Sequence, residues 1–363
     1  MAEYSKRGKG WQARIYWRDS FGKRHTKSKA GFPTKKQAQT WAIDNESQLN
    51  KGVSIDKSIS LYDYFVRWVD TYKEPKVSEV SMVRYRTTEQ NIKDYFGNMN
   101  IRQIDRLNYQ KFINWYGSTH APSSVQKVNG FVRSAVKSAI LDDYLTKDFT
   151  QGVTLTSNKD KIVKVQYLNV KEIKALLKAT KAGLKTKYTS RYMIITAIYT
   201  GMRLPEIQAL TWNDIDFKNQ TISITKSWDA VNHDFKETKN PFSVRKIKVN
   251  MELLNILKQL KNDAKGTMVF VDCFGTIPTS GIVNRTLRSI LKDQKIEKKN
   301  FHFHSLRHSH VALLLSNGID LYVISKRLGH SNIRTTANTY AYLIDEYKNE
   351  SDKQITSALS KLS

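Results

Sequence analysis

Two hydrophobic periods divide the chain. In WQARIYWR (11–18), Trp11, Ala13, Ile15 and Trp17 alternate with Gln12, Arg14, Tyr16 and Arg18. A period of two is that of a half-buried strand. DSFGK (19–23) supplies a turn whose glycine tolerates positive φ, and RHTKSKA (24–30) reads as a second, basic strand. Thr34 and Gln37 in TKKQ form an N-terminal cap signature for a helix through Ala38, Trp41 and Ala42. After residues 50–58 the period changes to three and four. Leu61, Phe65, Trp68, Val69 and Tyr72 form one apolar stripe, and Tyr85, Thr88, Ile92, Tyr95 and Phe96 a second. Tyr109, Phe112, Ile113 and Tyr116 form a third. The fourth follows APSS (121–124) with Val125, Val128, Val132, Ala135, Val136 and Ala139 inside and Lys127, Arg133 and Lys137 outside. The spacing predicts a four-helix bundle ending near residue 150.

TSNKDKIVKVQ (156–166) has no period and reads as an interdomain linker. Beyond it, Asn169 and Glu172 signal a helix start in a region that is mostly helical. Its strand-like patches are QTISITKS (220–227) and FSVRKIKV (242–249).

Composition narrows the class. The chain has 363 residues, enough for two or three domains, and 40% are hydrophobic. Lys and Arg number 60 against 33 acids, a net charge of +27. Residues 1–40 alone hold eleven basic residues and two acids, Glu3 and Asp19. Such a field attracts polyanions, nucleic acid first among them. The basic residues are interleaved with periodic apolar ones, so the cationic surface is folded. The longest apolar runs, such as VALLL (311–315), are too short to span a membrane. The start MAEYSKRGKGW lacks an apolar signal region. A single cysteine, Cys273, excludes an internal disulfide framework and fits a reducing compartment.

Four stretches carry candidate chemistry. In TGMRLPEIQALTWNDIDF (200–217) a helix ends at Thr200-Gly201, Arg203 occupies the turn, and Pro205 suits the first turn of the next helix. Arg203 there either caps a helix with Glu206 or faces a concave junction. In HFHSLRHSH (302–310), His304 and His308 are spaced as in metalloprotease helices, but the adjacent glutamate is missing. The alternative pairs His304 with Arg307 on one helical face, both reaching one anion. ETKNPFSVRKIKV (237–249) places Lys239 in a turn feeding a strand. LGHSNIRTTANTYAYL (328–343) holds His330 and two tyrosines, Tyr340 and Tyr342.

Taken in order, these stretches resemble one family, the tyrosine recombinases or phage integrases. The arginine box resembles 200–217, the second box resembles 302–343, and the catalytic hairpin resembles 237–249. The resemblance implies catalytic roles for Arg203, Lys239, His304, Arg307, His330 and the nucleophile Tyr340, with Lys236 a weaker alternative to Lys239. Tyr340 stands ten residues after His330, where the family places its nucleophile. Tyr342 takes a slot where relatives often carry histidine. The implied reaction is transesterification at a DNA phosphodiester through a 3′-phosphotyrosyl link, needing neither metal nor cofactor.

The resemblance also implies a multidomain, mainly α fold with small β-sheets. Residues 1–55 are then an arm-type DNA-binding module of sheet plus helix, 56–155 a helical core-binding domain, and 165–363 a mixed α/β catalytic domain. The expected partners are double-stranded DNA at core and arm sites and three further copies in a tetramer, with excision and host DNA-bending factors as accessories. The expected location is the cytoplasm of a bacterial host. Candidate DNA contacts are Arg14, Arg18, Lys23, Arg24 and Lys27 on the sheet, and Lys127 and Arg133 on the bundle. A short stripe, Ile355, Leu359 and Leu362, predicts a tail that docks on a neighbouring copy. A topoisomerase of type IB shares the chemistry, and a non-catalytic DNA-binding regulator would need only the basic surface.

Overall fold

The computed structural model describes residues 2–18, 22–50, 58–162, 165–237, 241–264, 266–334, 336–337, 339–340 and 359–360. The chain divides into two compact units, 1–163 and 164–363.

The first unit opens with an antiparallel sheet, β1 (Ala2–Arg7), β2 (Gly10–Arg18) and β3 (Arg24–Phe32), in the order β1-β2-β3. Helix α1 (Lys35–Asn50) lays Ala38 and Ala42 on Ala13 and Ile15, which are fully buried. The capping signature is realised in part, with the Gln37 amide donating to Thr34 Oγ1 at 3.3 Å. Strand β1 is an addition to the two predicted strands. Its only apolar residues are Ala2 and Tyr4, too few to register as an alternating face. The register also corrects one expectation. Arg14 faces Ser28 and Arg18 faces Arg24, so Arg14, Arg18 and Arg24 share the outer face. Lys27 pairs with Ile15 and therefore lies on the helix-covered side.

Helices α2 (Leu61–Tyr72), α3 (Glu79–Phe96), α4 (Arg106–Thr119) and α5 (Pro122–Leu141) follow. The predicted stripes point into one shared core, except that Tyr72, at the end of α2, is exposed. Ser60 caps α2, Asp105 and Asn108 form a capping box on α4, and Pro122 opens α5. The stretch read as a linker starts later than expected. Thr154 exchanges two 2.8 Å hydrogen bonds with the Gln110 amide, and the Asn158 amide donates to His120 O at 2.9 Å. Residues 154–158 are thus strapped along α4. Gly117 permits the approach, since a Cβ there would overlap the Thr156 carbonyl.

The second unit is built around α7 (Ser190–Thr200), which is buried on nearly every face. Around it pack α6 (Val170–Ala182), α9 (Met251–Asn262), α10 (Ser280–Asp293) and α11 (Phe303–Ser316), while the short α8 (Leu204–Gln208) follows it directly. Asn169 and Glu172 cap α6 as predicted. A three-stranded sheet, β4 (Ile215–Asp216), β5 (Thr221–Ile224) and β8 (Arg245–Lys248), is ordered β4-β5-β8, and β6 (Lys226–Asp229) and β7 (Asp234–Glu237) form a separate hairpin. Helix α12 (Leu321–Leu328) follows α11. Lys239, Tyr342, Ile355 and Leu362 lie outside the described residues, and Leu359 is exposed. Among the described residues no helix is long and apolar enough to cross a membrane.

Candidate active site

The end of α7 sets the geometry. Gly201 caps that helix in the left-handed conformation, φ 68°, and a Cβ there would collide with the His310 ring. The turn then delivers Arg203 to the start of α8, with Pro205 in that helix's first turn. Both readings of Arg203 meet here. Its backbone amide donates to Glu206 Oε2 at 2.9 Å and its Nη1 to Oε1 at 2.8 Å, yet the side chain stays 35% exposed. The opposite flank of Glu206 is held by Arg245 of β8. Arg245 Nη2 donates to Oε2 at 2.9 Å and Nη1 to Oε1 at 3.2 Å, a bidentate pair buried on both sides. Burial raises the Glu206 carboxyl, but Arg245 and then Arg203 outweigh it and hold the group at about 2.

Arg307, on α11, is 2% exposed. Its Nη1 donates to Gly201 O at 2.7 Å and its Nη2 to Leu328 O at 2.6 Å. Those carbonyls end α7 and α12, where backbone acceptors lack helical partners and the helix dipole favours a cation. One guanidinium thus fastens the arginine turn to the loop after α12. Burial, then the charge of Arg203, pushes Arg307 down to about 9, so it stays charged at neutral pH.

Arg307 Nη2 also donates to His330 Nε2 at 3.0 Å. A guanidinium has no acceptor, so Nε2 is unprotonated and Nδ1–H donates to Thr336 Oγ1 at 2.7 Å. His330 is therefore neutral. Burial and the charges of Arg307 and Arg203 hold it at about 4. Desolvation, then Arg307 and Arg203, likewise hold His304 at about 4, although that residue keeps an exposed outer edge.

Tyr340 is 1% exposed and packs with Val311, Ala312, Ile324 and Leu328. Its hydroxyl lies 2.7 Å from His308 Nδ1. The sequence raised His308 only as a metal ligand. Here it bonds the tyrosine, and its ring meets the His304 ring edge-on, with centroids 5.0 Å apart. His310 Nδ1–H donates to Ile198 O at 2.9 Å, and His310 Nε2 accepts from Arg327 Nε at 3.1 Å. Arg245, His308, His310 and Arg327 were not among the expected site residues. Arg245 contacts Glu206 across 39 residues, and no local pattern announces such a pair.

The structure brings Arg203, His304, Arg307, His330 and Tyr340 together. Of the two candidate lysines, Lys236 is ion-paired with Asp229 at 2.9 Å. On the other surfaces, Arg14, Arg18, Lys23 and Arg24 are exposed, with Arg24 over the Tyr16 ring at 4.8 Å. Lys127 and Arg133 are exposed on α5, but six residues on a helix leaves them about 120° apart, on different flanks. Arg133 also lies 3.9 Å from the Asp148 carboxylate.

Comparison with known proteins matches three family descriptions along the chain. Residues 2–49 match the arm DNA-binding domain, 60–116 the phage integrase N-terminal SAM-like domain, and 166–346 the phage integrase family. The integrase of Staphylococcus phage L54a is 26% identical over 344 residues, covering 86% of this chain and 96% of the relative. The ICEBs1 integrase of Bacillus subtilis is 28% identical over 279 residues, covering 71% and 72%. Among solved structures, the Tn1549 transposon integrase in complex with a circular intermediate DNA superposes with a TM-score of 0.68 at 18% identity, covering 82% of this chain and all of the other. A lambda integrase tetramer bound to a Holliday junction gives 0.57 at 16%, covering 91% and 95%. With the arginine turn, the buried second arginine and the packed tyrosine in one fold, the chain belongs to the phage integrase family of tyrosine recombinases.

Proposed function

We propose that this chain cleaves and rejoins double-stranded DNA through a 3′-phosphotyrosyl intermediate and so integrates or excises a mobile element. The observation that carries the reading is the convergence of Arg203, Arg307 and Tyr340, which sit close enough for Arg307 to feel both other groups. Guanidinium forks suit the non-bridging oxygens of a phosphodiester, where charge builds during transfer. Arg203 offers its exposed edge to one oxygen. Arg307, with three of its five donors committed to the protein, offers the remainder. His304 and His330 line the phosphate. Lys239 gives its proton to the departing 5′ oxygen, a role Lys236 is less free to fill beside Asp229. Tyr340 attacks phosphorus, and the ester keeps the bond energy until a partner strand's 5′-hydroxyl reseals the backbone.

Residues 1–55, 56–155 and 165–363 then act as arm-binding, core-binding and catalytic domains, with Arg14, Arg18, Lys23, Arg24, Lys127 and Arg133 on phosphates. A protein holding two kinds of DNA site gains from effective concentration when it bridges them. Four copies assemble on two duplexes in the cytoplasm of a bacterial host, with excision and DNA-bending factors as accessories.

The test is covalent trapping on nicked duplexes cut from the ends of the element that encodes the chain. Wild-type protein should yield a protease-sensitive adduct on a denaturing gel. Tyr340→Phe should bind the duplex equally well and yield none, and Tyr342→Phe should still yield it. An adduct formed by Tyr340→Phe would remove Tyr340 as the nucleophile.

A further inference from the structure

The proposed reaction needs a group to take the phenol proton. A phenol ionises near about 10, so the hydroxyl must lose its proton as it attacks at neutral pH. The histidines around Tyr340 are not equivalent in this respect. His330 Nε2 already accepts from Arg307 and its Nδ1–H is spent on Thr336. His310 Nε2 accepts from Arg327 and its Nδ1–H is spent on Ile198 O. Neither ring has a lone pair left for a phenol. His308 is different: its Nδ1 lies 2.7 Å from the Tyr340 hydroxyl, and its ring is half-buried, between the packed tyrosine and the exposed His304.

We propose that His308 is a catalytic residue that accepts the phenol proton of Tyr340, a role that rests on Tyr340 being the nucleophile. In the step, an Oη lone pair forms the O–P bond and the Oη–H proton passes to the Nδ1 lone pair. The bond from phosphorus to the 5′ oxygen breaks, and that oxygen takes the Lys239 proton. Religation runs the transfers in reverse, so no net proton is consumed. His308 must be neutral beforehand. Burial does this first, then the neighbours on its own helix, His304, Arg307 and His302, and His330 from the loop after α12, which together hold it at about 4. Those same groups would oppose an imidazolium, but the entering phosphate brings a negative charge among them. The position of the ring on α11, four residues after His304 and in contact with its ring, ties proton uptake to the phosphate-binding face.

The experiment uses the full chain with single-turnover adduct formation on the same nicked duplexes. His308→Asn keeps a hydrogen-bonding atom near the Nδ1 position but cannot take a proton, and His308→Ala removes both. Each should slow adduct formation by roughly 10²–10⁴-fold, the usual scale of general-base catalysis, with DNA affinity unchanged. Placing 3,5-difluorotyrosine at 340 lowers the phenol's pKa, and an ionised phenol needs no acceptor. In that background the His308→Asn loss should shrink to within about tenfold. A His308→Asn chain that cleaves at the wild-type rate would overturn the proposal. So would a loss that the fluorinated phenol leaves unchanged, since that is the behaviour of a merely structural contact. Failure of the nucleophile itself reads out separately, as an adduct from Tyr340→Phe.

Discussion

The arginines of the N-terminal sheet and those of the catalytic unit solve opposite problems. Arg14, Arg18 and Arg24 stand on an exposed face, where water solvates most of the charge; the Arg24 guanidinium lies over the Tyr16 ring at 4.8 Å and Arg18 Nη1 donates to Gly22 O at 3.0 Å. Arg245, Arg307 and Arg327 are largely withdrawn from solvent, and each divides its N–H groups between backbone carbonyls and one side chain, Glu206, His330 and His310 in turn. Arg307 reaches Gly201 and Leu328, Arg245 reaches Ser243 and Arg327, and Arg327 reaches Tyr199 and Lys248. A buried guanidinium is tolerable only when acceptors replace its water. The sheet therefore presents charge to solvent, whereas the second unit uses charge to tie helix ends together. Arg203 lies between the two cases, ion-paired yet 35% exposed.

The strongest way to break this contrast is to remove the buried arginine and the half-exposed one from the same site. Arg307→Ala deletes a cation and leaves the Gly201 and Leu328 carbonyls without their partner. At about 1–3 kcal/mol per unsatisfied buried group, the expected loss is about 2–6 kcal/mol, together with loss of the adduct. Arg203→Ala should abolish the adduct as fully, but Arg245 still grips Glu206, so the loss should stay near about 1 kcal/mol. Guanidinium denaturation of the two variants beside wild type measures this. Equal midpoints would mean that Arg307 is no more architectural than Arg203.

Acid should expose the same dependence on buried partners, at a smaller scale. Burial, then the charge of Arg327, holds His310 at about 3, below the ordinary histidine value of 6.5. The fold prefers the neutral ring, so its contribution is complete above pH 6.5 and declines as pH falls toward 3. Glu206, held at about 2 against an ordinary 4.5, contributes fully above pH 4.5 and is lost between 4.5 and 2. The denaturation midpoint should therefore begin to drop below pH 6.5 and steepen below 4.5. His310→Gln should lessen the upper part only, and the drop that remains there belongs to His304, His308 and His330, each held at about 4. A midpoint that stays level from pH 7 to 5 would contradict the assignment of His310 as a buried neutral ring.

How much of this was legible follows from the range of the interactions. The bundle stripes are local, so Leu61, Phe65 and Ile92 announced their burial through spacing alone. The cap at Asn169 and the helix end at Gly201 are also local and were read correctly. Strand β1 was missed because an edge strand with only Ala2 and Tyr4 to bury has almost no pattern. Lys27 was placed with Arg24 because a count of basic residues ignores parity: three residues apart on a strand means opposite faces. In the site, the motif order nominates Arg203, His304, Arg307, His330 and Tyr340. The bonds that hold them were invisible, because Arg307 to Gly201 spans 106 residues and Glu206 to Arg245 spans 39. His308 is the instructive case. Its spacing from His304 suggests a metal ligand that the missing glutamate argues against, while the group it meets lies 32 residues on.

The finest discrimination concerns that parity. If DNA lies on the outer face of the sheet, Arg24 contacts phosphate and Lys27, paired with Ile15 on the α1 side, does not. Each phosphate contact releases about one counterion, so the slope of log affinity against log salt counts contacts. Arg24→Ala in the full chain, titrated with a mixed-sequence duplex at several salt concentrations, should lower that slope by about 1 and weaken binding evenly across sequences. Lys27→Ala removes one charge of equal sign three residues away and should leave the slope where it was. The pair is a fair control because both residues lie on the edge strand β3 and both substitutions change the net charge by the same amount. A general attraction between a +27 chain and DNA would therefore weaken equally in the two variants. Only a docked face distinguishes them. Equal slope losses would place the duplex along the edge of β3 instead of across the outer face, and a loss for Lys27→Ala alone would move it to the side that carries α1.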